Sequence, residues 1–219
     1  MYDSRPITEF RQISPCPPTD QACLDATANE FYQKLMVGIP AVGIEPHEPT
    51  RHPLIVGNLA TLKYTFYNAT ISHMDECKIS DLKFNRDTLK TQFKMSCPKV
   101  VIETDYETSG QLLVVPVHGK GDAKIVTGRY NFVFNCEGKM VDRHYSIRSC
   151  SFAVDAVEKI NFDINNLFDG NQQLSKAFHD FLHDNWKDSH DFVKDPVWNV
   201  HTKKMITAAN KLLKTATLR

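Results

Sequence analysis

The feature that most limits what this chain can fold into is a change of hydrophobic period. From about residue 59 to 164, apolar side chains alternate with polar ones. Leu62, Tyr64 and Phe66 are interleaved with Thr61, Lys63 and Thr65; Tyr130, Phe132 and Phe134 follow the same rhythm, as do Phe93 and Met95, Phe152 and Val154, and Phe162 and Ile164. A period of two is the mark of strands buried on one face. After Asp169-Gly170 the period becomes helical, and Leu174, Phe178, Phe181, Leu182, Asn185, Ser189, Phe192 and Val193 fall on one side. A helix over 171–195 would be roughly 38 Å long at about 1.5 Å per residue. Pro196 is expected to bend or interrupt it before a second helical stretch carrying Val200, Ala208, Leu212 and Leu213. The sheet face and the helix stripe each need a partner, and no linker separates them. One α+β unit spanning 1–219 is the simplest solution.

The rest of the chain fills in around that frame. Residues 1–15 read as an irregular arm. Residues 21–36 read as a short N-terminal helix, capped by Asp20, with Leu24, Ala28, Phe31 and Leu35 at helical spacing. Residues 38–57 contain Pro40, Pro46, Pro49 and Pro53 and are expected to form an extended connection. Polar turns are expected at Asn85-Arg86-Asp87-Thr88, at Ser109-Gly110, at Gly119-Lys120-Gly121-Asp122 and near Asp142-Arg143, which together give an antiparallel meander. If Leu62, Tyr64 and Phe66 point inward, so does Asn68, unless a β-bulge near 66–69 switches the phase.

That phase matters because Asn68-Ala69-Thr70 is a glycosylation sequon, and a buried asparagine cannot carry a glycan. Six cysteines are present. A hairpin centred near Asp87 sets Cys77 opposite Cys97, one centred near Arg143 sets Cys136 opposite Cys150, and Cys16 and Cys23 would close a short loop. Opposed positions have Cβ atoms about 4.5–5.5 Å apart, near disulfide range. Three local disulfides are therefore preferred over zinc, which usually takes closely spaced CxxC pairs absent here, and over free thiols. Disulfides and a sequon point to an oxidising compartment and a secreted, extracellular protein. The first 20 residues lack the apolar segment of a signal peptide, so a secreted chain would be in its processed form.

Twenty-six Lys+Arg balance twenty-six Asp+Glu. That balance argues against nucleic-acid binding, which needs a basic surface. No apolar run of about 18 residues exists, so stable membrane insertion is not expected. There is no GxSxG, Walker or HExxH motif, and no catalytic residue, enzyme activity or cofactor is expected. His179, His183 and His190 border one helix face, but without an intervening glutamate they read as a polar edge rather than a metal site. Thirteen phenylalanines and two tryptophans are individually ordinary core residues. Collectively, a curved sheet around a long helix can leave an elongated apolar gap able to hold a lipid.

Three segments together resemble the takeout/juvenile hormone-binding protein family of insects. Gly38-Ile39-Pro40 running to Glu45-Pro46-His47-Glu48-Pro49 is similar to that family's GIP…G(I/V)xPxDP stretch. Asp105-Tyr106 with Gly110-Gln111-Leu112-Leu113-Val114-Val115-Pro116 and Gly119-Lys120-Gly121 resembles DYxxxGxLLxLPxxGxG. Asn166-Leu167-Phe168-Asp169-Gly170 followed by Phe181-Leu182-His183-Asp184-Asn185-Trp186 resembles NLFNG…FLNENW. The resemblance runs from about residue 16 to 214. It implies a long C-terminal helix wrapped by a strongly curved antiparallel sheet, and an extracellular carrier, in haemolymph or a similar fluid, of one small hydrophobic ligand: a juvenile hormone-like terpenoid, a fatty acid or a related lipid. Glu48-Pro49 and His183 depart from its pattern. No cysteine follows Cys150, so a bridge from sheet to C-terminal helix cannot form.

On strand parity, Phe66, Phe132, Phe134, Phe178, Phe181 and Trp186 are the wall candidates for such a gap. Tyr32, Tyr64 and Tyr130 are the candidate hydrogen-bond donors, and Phe31 and Leu35 the candidate gate. A monomer is the default state. The alternative reading is a signalling protein with a filled core, acting on a cell-surface receptor through the hydrophobic stretch 38–57.

Overall fold

The computed structural model describes residues 16–215; the arm expected over 1–15 lies outside them. The chain opens with helix α1 (Gln21–Val37), whose first turn is capped by Asp20 accepting from the Cys23 N–H. A short 3-10 turn (Pro40–Val42) follows. Nine strands come next: β1 (Thr50–Asn58), β2 (Leu62–Ser72), β3 (Lys78–Asn85), β4 (Lys90–Cys97), β5 (Val100–Leu112), β6 (Val115–Thr127), β7 (Tyr130–Val141), β8 (His144–Ala156) and β9 (Asn161–Ile164). Helices α2 (Gln172–Asp184) and α3 (Trp186–Leu213) end the fold. The strands form two antiparallel sheets, ordered β1-β2-β5-β6-β9 and β3-β4-β7-β8. Residues 98–99 and 128–129 are the only links between β4 and β5 and between β6 and β7, so each sheet runs directly into the other.

Hairpin register brings the cysteines together. Cys136 and Cys150 are direct partners across β7 and β8, and the β3–β4 register brings Cys77 to Cys97. Both pairs are bonded, as is Cys16–Cys23, and no cysteine is free. The bulge in β2 is present: its register against β5 shifts between Tyr67 and Thr70, Asn68 takes φ 53°, and its side chain turns to solvent.

Asparagine side chains finish two of the exposed sheet edges. Asn29 of α1 both donates to Ile79 O and accepts from Ile79 N–H on β3. Asn210 of α3 makes the same reciprocal pair with Ile147 on β8. A side-chain amide has the donor and acceptor spacing of a peptide, so it substitutes for a missing neighbouring strand. Where β3 bulges, the Asp25 carboxylate accepts from Asp81 and Leu82 N–H. Glu48, which replaces the aspartate of the family pattern, still caps a turn: its two oxygens accept from His73 and Met74 N–H at 2.9 Å each.

Four expectations are corrected. Residues 50–58 form an edge strand rather than a connection; Pro53 fits there because an edge strand leaves one row of its N–H groups without a ladder partner. The β5–β6 hairpin turns at Leu113-Val114, not at Ser109-Gly110, which continues the strand. Gly119-Lys120-Gly121-Asp122 is not a turn either but the middle of β6. There the chain at 165–167 crosses so closely that a Cβ on Gly121 would lie 2.5 Å from Asn165 O, and Gly119 bridges Leu167. Lastly, the C-terminal helix breaks at Asn185 rather than Pro196. Asn185 leaves helical geometry at φ −116°, ψ 32°, with both its backbone N–H and its side-chain amide donating to Phe181 O. Pro196 sits inside α3, where the Tyr64 hydroxyl donates to the neighbouring Val193 carbonyl at 2.7 Å. Pro196 supplies no N–H to the Phe192 carbonyl four residues back, and the Tyr64 bond braces the helix at the next carbonyl along.

Candidate functional site

Two apolar cores lie between the sheets and the helices. The larger is solid. Phe132 packs edge-on against Trp198 at 4.8 Å and Tyr130 at 5.2 Å, and Phe134 stacks on Phe132. Its polar atoms are matched. Trp198 Nε1 donates to the Tyr130 hydroxyl at 3.0 Å, and that hydroxyl also contacts His190 Nε2. His52 Nε2 and His201 Nδ1 lie 3.3 Å apart. Burial, aided by the Lys204 charge, depresses the His52 pKa to about 4; burial beside His52 takes His201 to about 3.

The second core, at the other end, contains a void. The cavity measures about 90 Å³. Leu62, Tyr64 and Phe66 of β2 form one wall, Tyr106 and Leu112 of β5 the floor, and Ala123 and Ile125 of β6 with Phe162 and Ile164 of β9 the far side. Phe178 and Leu182 of α2, with Ser189 and Val193 of α3, close the top. Gly57 faces Tyr64 across β1 and β2, and a Cβ there would strike the Tyr64 ring, so the glycine allows the ring to lie flat over β1. No charged side chain lines the space. The Tyr106 hydroxyl donates to Asn165 O at 2.7 Å, and burial pushes its pKa up to about 12; Tyr64 is raised for the same reason. Phe66 and Phe162 pack against both cores and form the partition between them.

The sequence candidates thus divide. Tyr64, Phe66 and Phe178 line the cavity, and Phe181 packs on the same core just outside it. Tyr130, Phe132, Phe134 and Trp186 belong to the solid core. Tyr32 and Leu35 of α1 are buried there too, with Phe31 against them, and the Tyr32 hydroxyl donates to Met74 O at 2.7 Å. The three border histidines separate: His179 accepts from Ile164 N–H, His183 meets Lys159, and His190 meets Tyr130. Among the described residues no three His, Cys, Asp or Glu side chains converge as a metal site. Sequence reasoning missed the β9 and Leu112 contributions; the long register of β5 against β6, through glycines that read as turns, hid them.

At about 90 Å³ the cavity is smaller than the roughly 150 Å³ that holds a benzene ring, and far below the about 300–1,000 Å³ of pockets for larger ligands. A long lipid fits only after the lining side chains swing outward.

Residues 5–219 match the family described as Haemolymph juvenile hormone binding protein. The chain belongs to that family. It is 25% identical over 186 residues to the circadian clock-controlled protein daywake of Drosophila yakuba, a match covering 78% of this chain and 72% of the relative. It is 26% identical over 168 residues to the juvenile hormone-binding protein of Manduca sexta, covering 70% and 69%. The crystal structure of Takeout 1 from Epiphyas postvittana superposes with a TM-score of 0.87 at 20% identity, covering 92% of this chain and 95% of that one. That agreement establishes the takeout-like α+β fold, with a long C-terminal helix packed on antiparallel strands. The family is one of binding proteins for hydrophobic hormones, not of enzymes.

Proposed function

We propose that this protein is an extracellular carrier that holds one small hydrophobic ligand, a juvenile hormone-like terpenoid, a fatty acid or a related lipid, between the five-stranded sheet and the α2–α3 junction. The observation that carries the reading is an uncharged cavity walled by aromatic and aliphatic side chains, in a member of a family named for hormone binding. Burying about 15 methylenes contributes roughly 12 kcal/mol at about 0.8 kcal/mol each. Immobilisation and opening of the cavity offset part of it, leaving micromolar to nanomolar affinity. The chain acts as one unit and as a monomer. The three disulfides support secretion, and the solvent-facing Asn68 is the glycan acceptor.

The test is native mass spectrometry of protein from its natural source, followed by organic extraction. An extractable excess mass of a few hundred daltons is the expected result. A bare protein that also takes up no terpenoid ester or fatty acid overturns the carrier. The small size of the cavity favours one competing reading, a filled protein that signals through a receptor. Leu54 and Val56, half exposed on edge strand β1, would then be its contact.

A further inference from the structure

One atom in the cavity wall is out of place. Ser189 is 1% exposed and lines the apolar space, yet its hydroxyl has no hydrogen-bond partner; among the described residues no other buried side-chain oxygen or nitrogen is in that position. A buried hydroxyl left unpaired is costly, and native structures rarely tolerate one without a reason. The other polar groups of the wall are engaged. Tyr64 donates to Val193 O, Tyr106 to Asn165 O, and the Thr108 hydroxyl to Lys63 O. Ser189 stands one turn before Val193 on α3, so its backbone is fixed; its N–H is bonded to Asn185 O at 2.9 Å.

We infer that Ser189 is the polar anchor of the ligand, donating to a single uncharged oxygen, and that the cargo is a neutral oxygenated lipid such as an ester, ketone, epoxide or alcohol rather than a free fatty acid. The inference rests on the carrier reading and narrows it. A carboxylate entering this space would meet no lining cation, and the charged groups that act on the two wall tyrosines, Asp195 and Asp122, are both acidic. An ionised acid buried there would have to be neutralised first. An ester carbonyl needs only the donor that Ser189 has free.

The experiment uses the full oxidised chain, displacement of a fluorescent apolar probe, and three competitors: methyl dodecanoate, dodecanoate and pentadecane, the hydrocarbon matching the ester in heavy atoms. At neutral pH the ester should bind more tightly than the acid. Ser189→Ala should weaken the ester about three- to tenfold, the range of one net hydrogen bond, and leave pentadecane unchanged. Ser189→Cys, which keeps the bulk and loses the strong donor, should behave as the alanine does. Unliganded Ser189→Ala should melt no lower than the parent, since no partner is lost. Equal weakening of ester and hydrocarbon would show a purely steric role. No change for either would show the hydroxyl turned back to its own helix, and acid binding as tight as ester would refute the selectivity. The first two overturn the anchor and the third the neutral-cargo reading, each leaving the carrier intact. Failure of all three competitors and of the fluorescent probe to bind the parent protein would overturn the carrier itself, and the anchor with it.

Discussion

The two ends of this molecule use the same kinds of residue to opposite effect. At one end α1, α3 and strands of both sheets enclose a solid aromatic core in which the Tyr130 hydroxyl joins Trp198 and His190, and His52 pairs with His201. All three disulfides lie there. At the other end the five-stranded sheet meets the helical break at Asn185 around a void, with no cross-link and with one hydroxyl unpaired. Segments that must open for a ligand are drawn from the less constrained part of a fold. On the proposed carrier reading, the cross-links and matched polar groups hold one end while the other yields.

Paired truncations test that division most severely. Phe132→Ala removes a ring that is 2% exposed in the solid core and should cost about 3–5 kcal/mol, lowering the melting temperature by roughly 6–20 °C. Phe178→Ala removes a ring that already borders a void, and should fall at the lower end of that range. Calorimetry with and without an apolar ligand separates them further. Ligand should stabilise Phe178→Ala more than it stabilises the parent protein, and should not do so for Phe132→Ala. Equal rescue of both would mean that the ends are not distinct.

Acid should weaken the solid end. His52 and His201 are held at about 4 and about 3 by burial, and burial lowers His47 and His190 as well. The unfolded chain binds protons on these rings near their ordinary value of about 6.5, while the folded chain does not until the lower values are reached. The unfolded state therefore holds more protons in between. Stability is complete above about pH 6.5 and falls as pH drops toward 4, by a few kcal/mol in total. Thermal melts across that window should show it, and His52→Gln should flatten the slope. A melting temperature independent of pH over that range would mean the rings are not buried as described.

How much of this could be read from the chain depended on the range of the interaction. Local signals were reliable: the Asp20 cap, the bulge that frees Asn68, and two disulfides set by hairpin register. Signals that required knowing what lies across the sheet failed. Gly119 and Gly121 have the composition of a turn, and only the chain crossing above them at 165–167, just past β9, explains them as close-approach positions. Pro196 reads as a helix breaker because the Tyr64 hydroxyl that supports α3 there comes from 129 residues earlier in the chain. Aromatic residues could be assigned inward by parity, but parity cannot tell a filled core from a lined void. Tyr130 and Phe132 share their face with Tyr64 and Phe66, and only the helix surface opposite them decides which is which.

A substitution that fills the void should spare the fold and stop the binding. Ala123 is 6% exposed in β6 and lines the cavity. Ala123→Leu places three further carbons into open space, so its effect on stability should stay within about 1 kcal/mol, without the larger penalty of overpacking a filled core. Affinity for an apolar probe should fall at least about tenfold, as a ligand of this kind contributes about 0.8 kcal/mol per buried methylene. Unchanged affinity would place the ligand elsewhere in the molecule.

The smallest change asks what a single hydroxyl is for. By sequence Tyr64 is a candidate donor to the ligand; in the fold its proton is held by Val193 O at 2.7 Å, beside Pro196. Tyr64→Phe keeps the ring in the wall and removes one hydrogen bond between β2 and α3, which should cost about 0.5–1.5 kcal/mol and lower the melting temperature by roughly 1–6 °C. Affinity for an ester should change less than about twofold, because the ligand loses no partner, whereas Ser189→Ala should show the reverse pattern of weaker ester binding and unimpaired melting. If Tyr64→Phe instead weakens ester binding and leaves the melting temperature alone, the hydroxyl leaves α3 when ligand enters. The two ends are then coupled through the Pro196 segment, because the brace on the long helix would be the group that the ligand takes over.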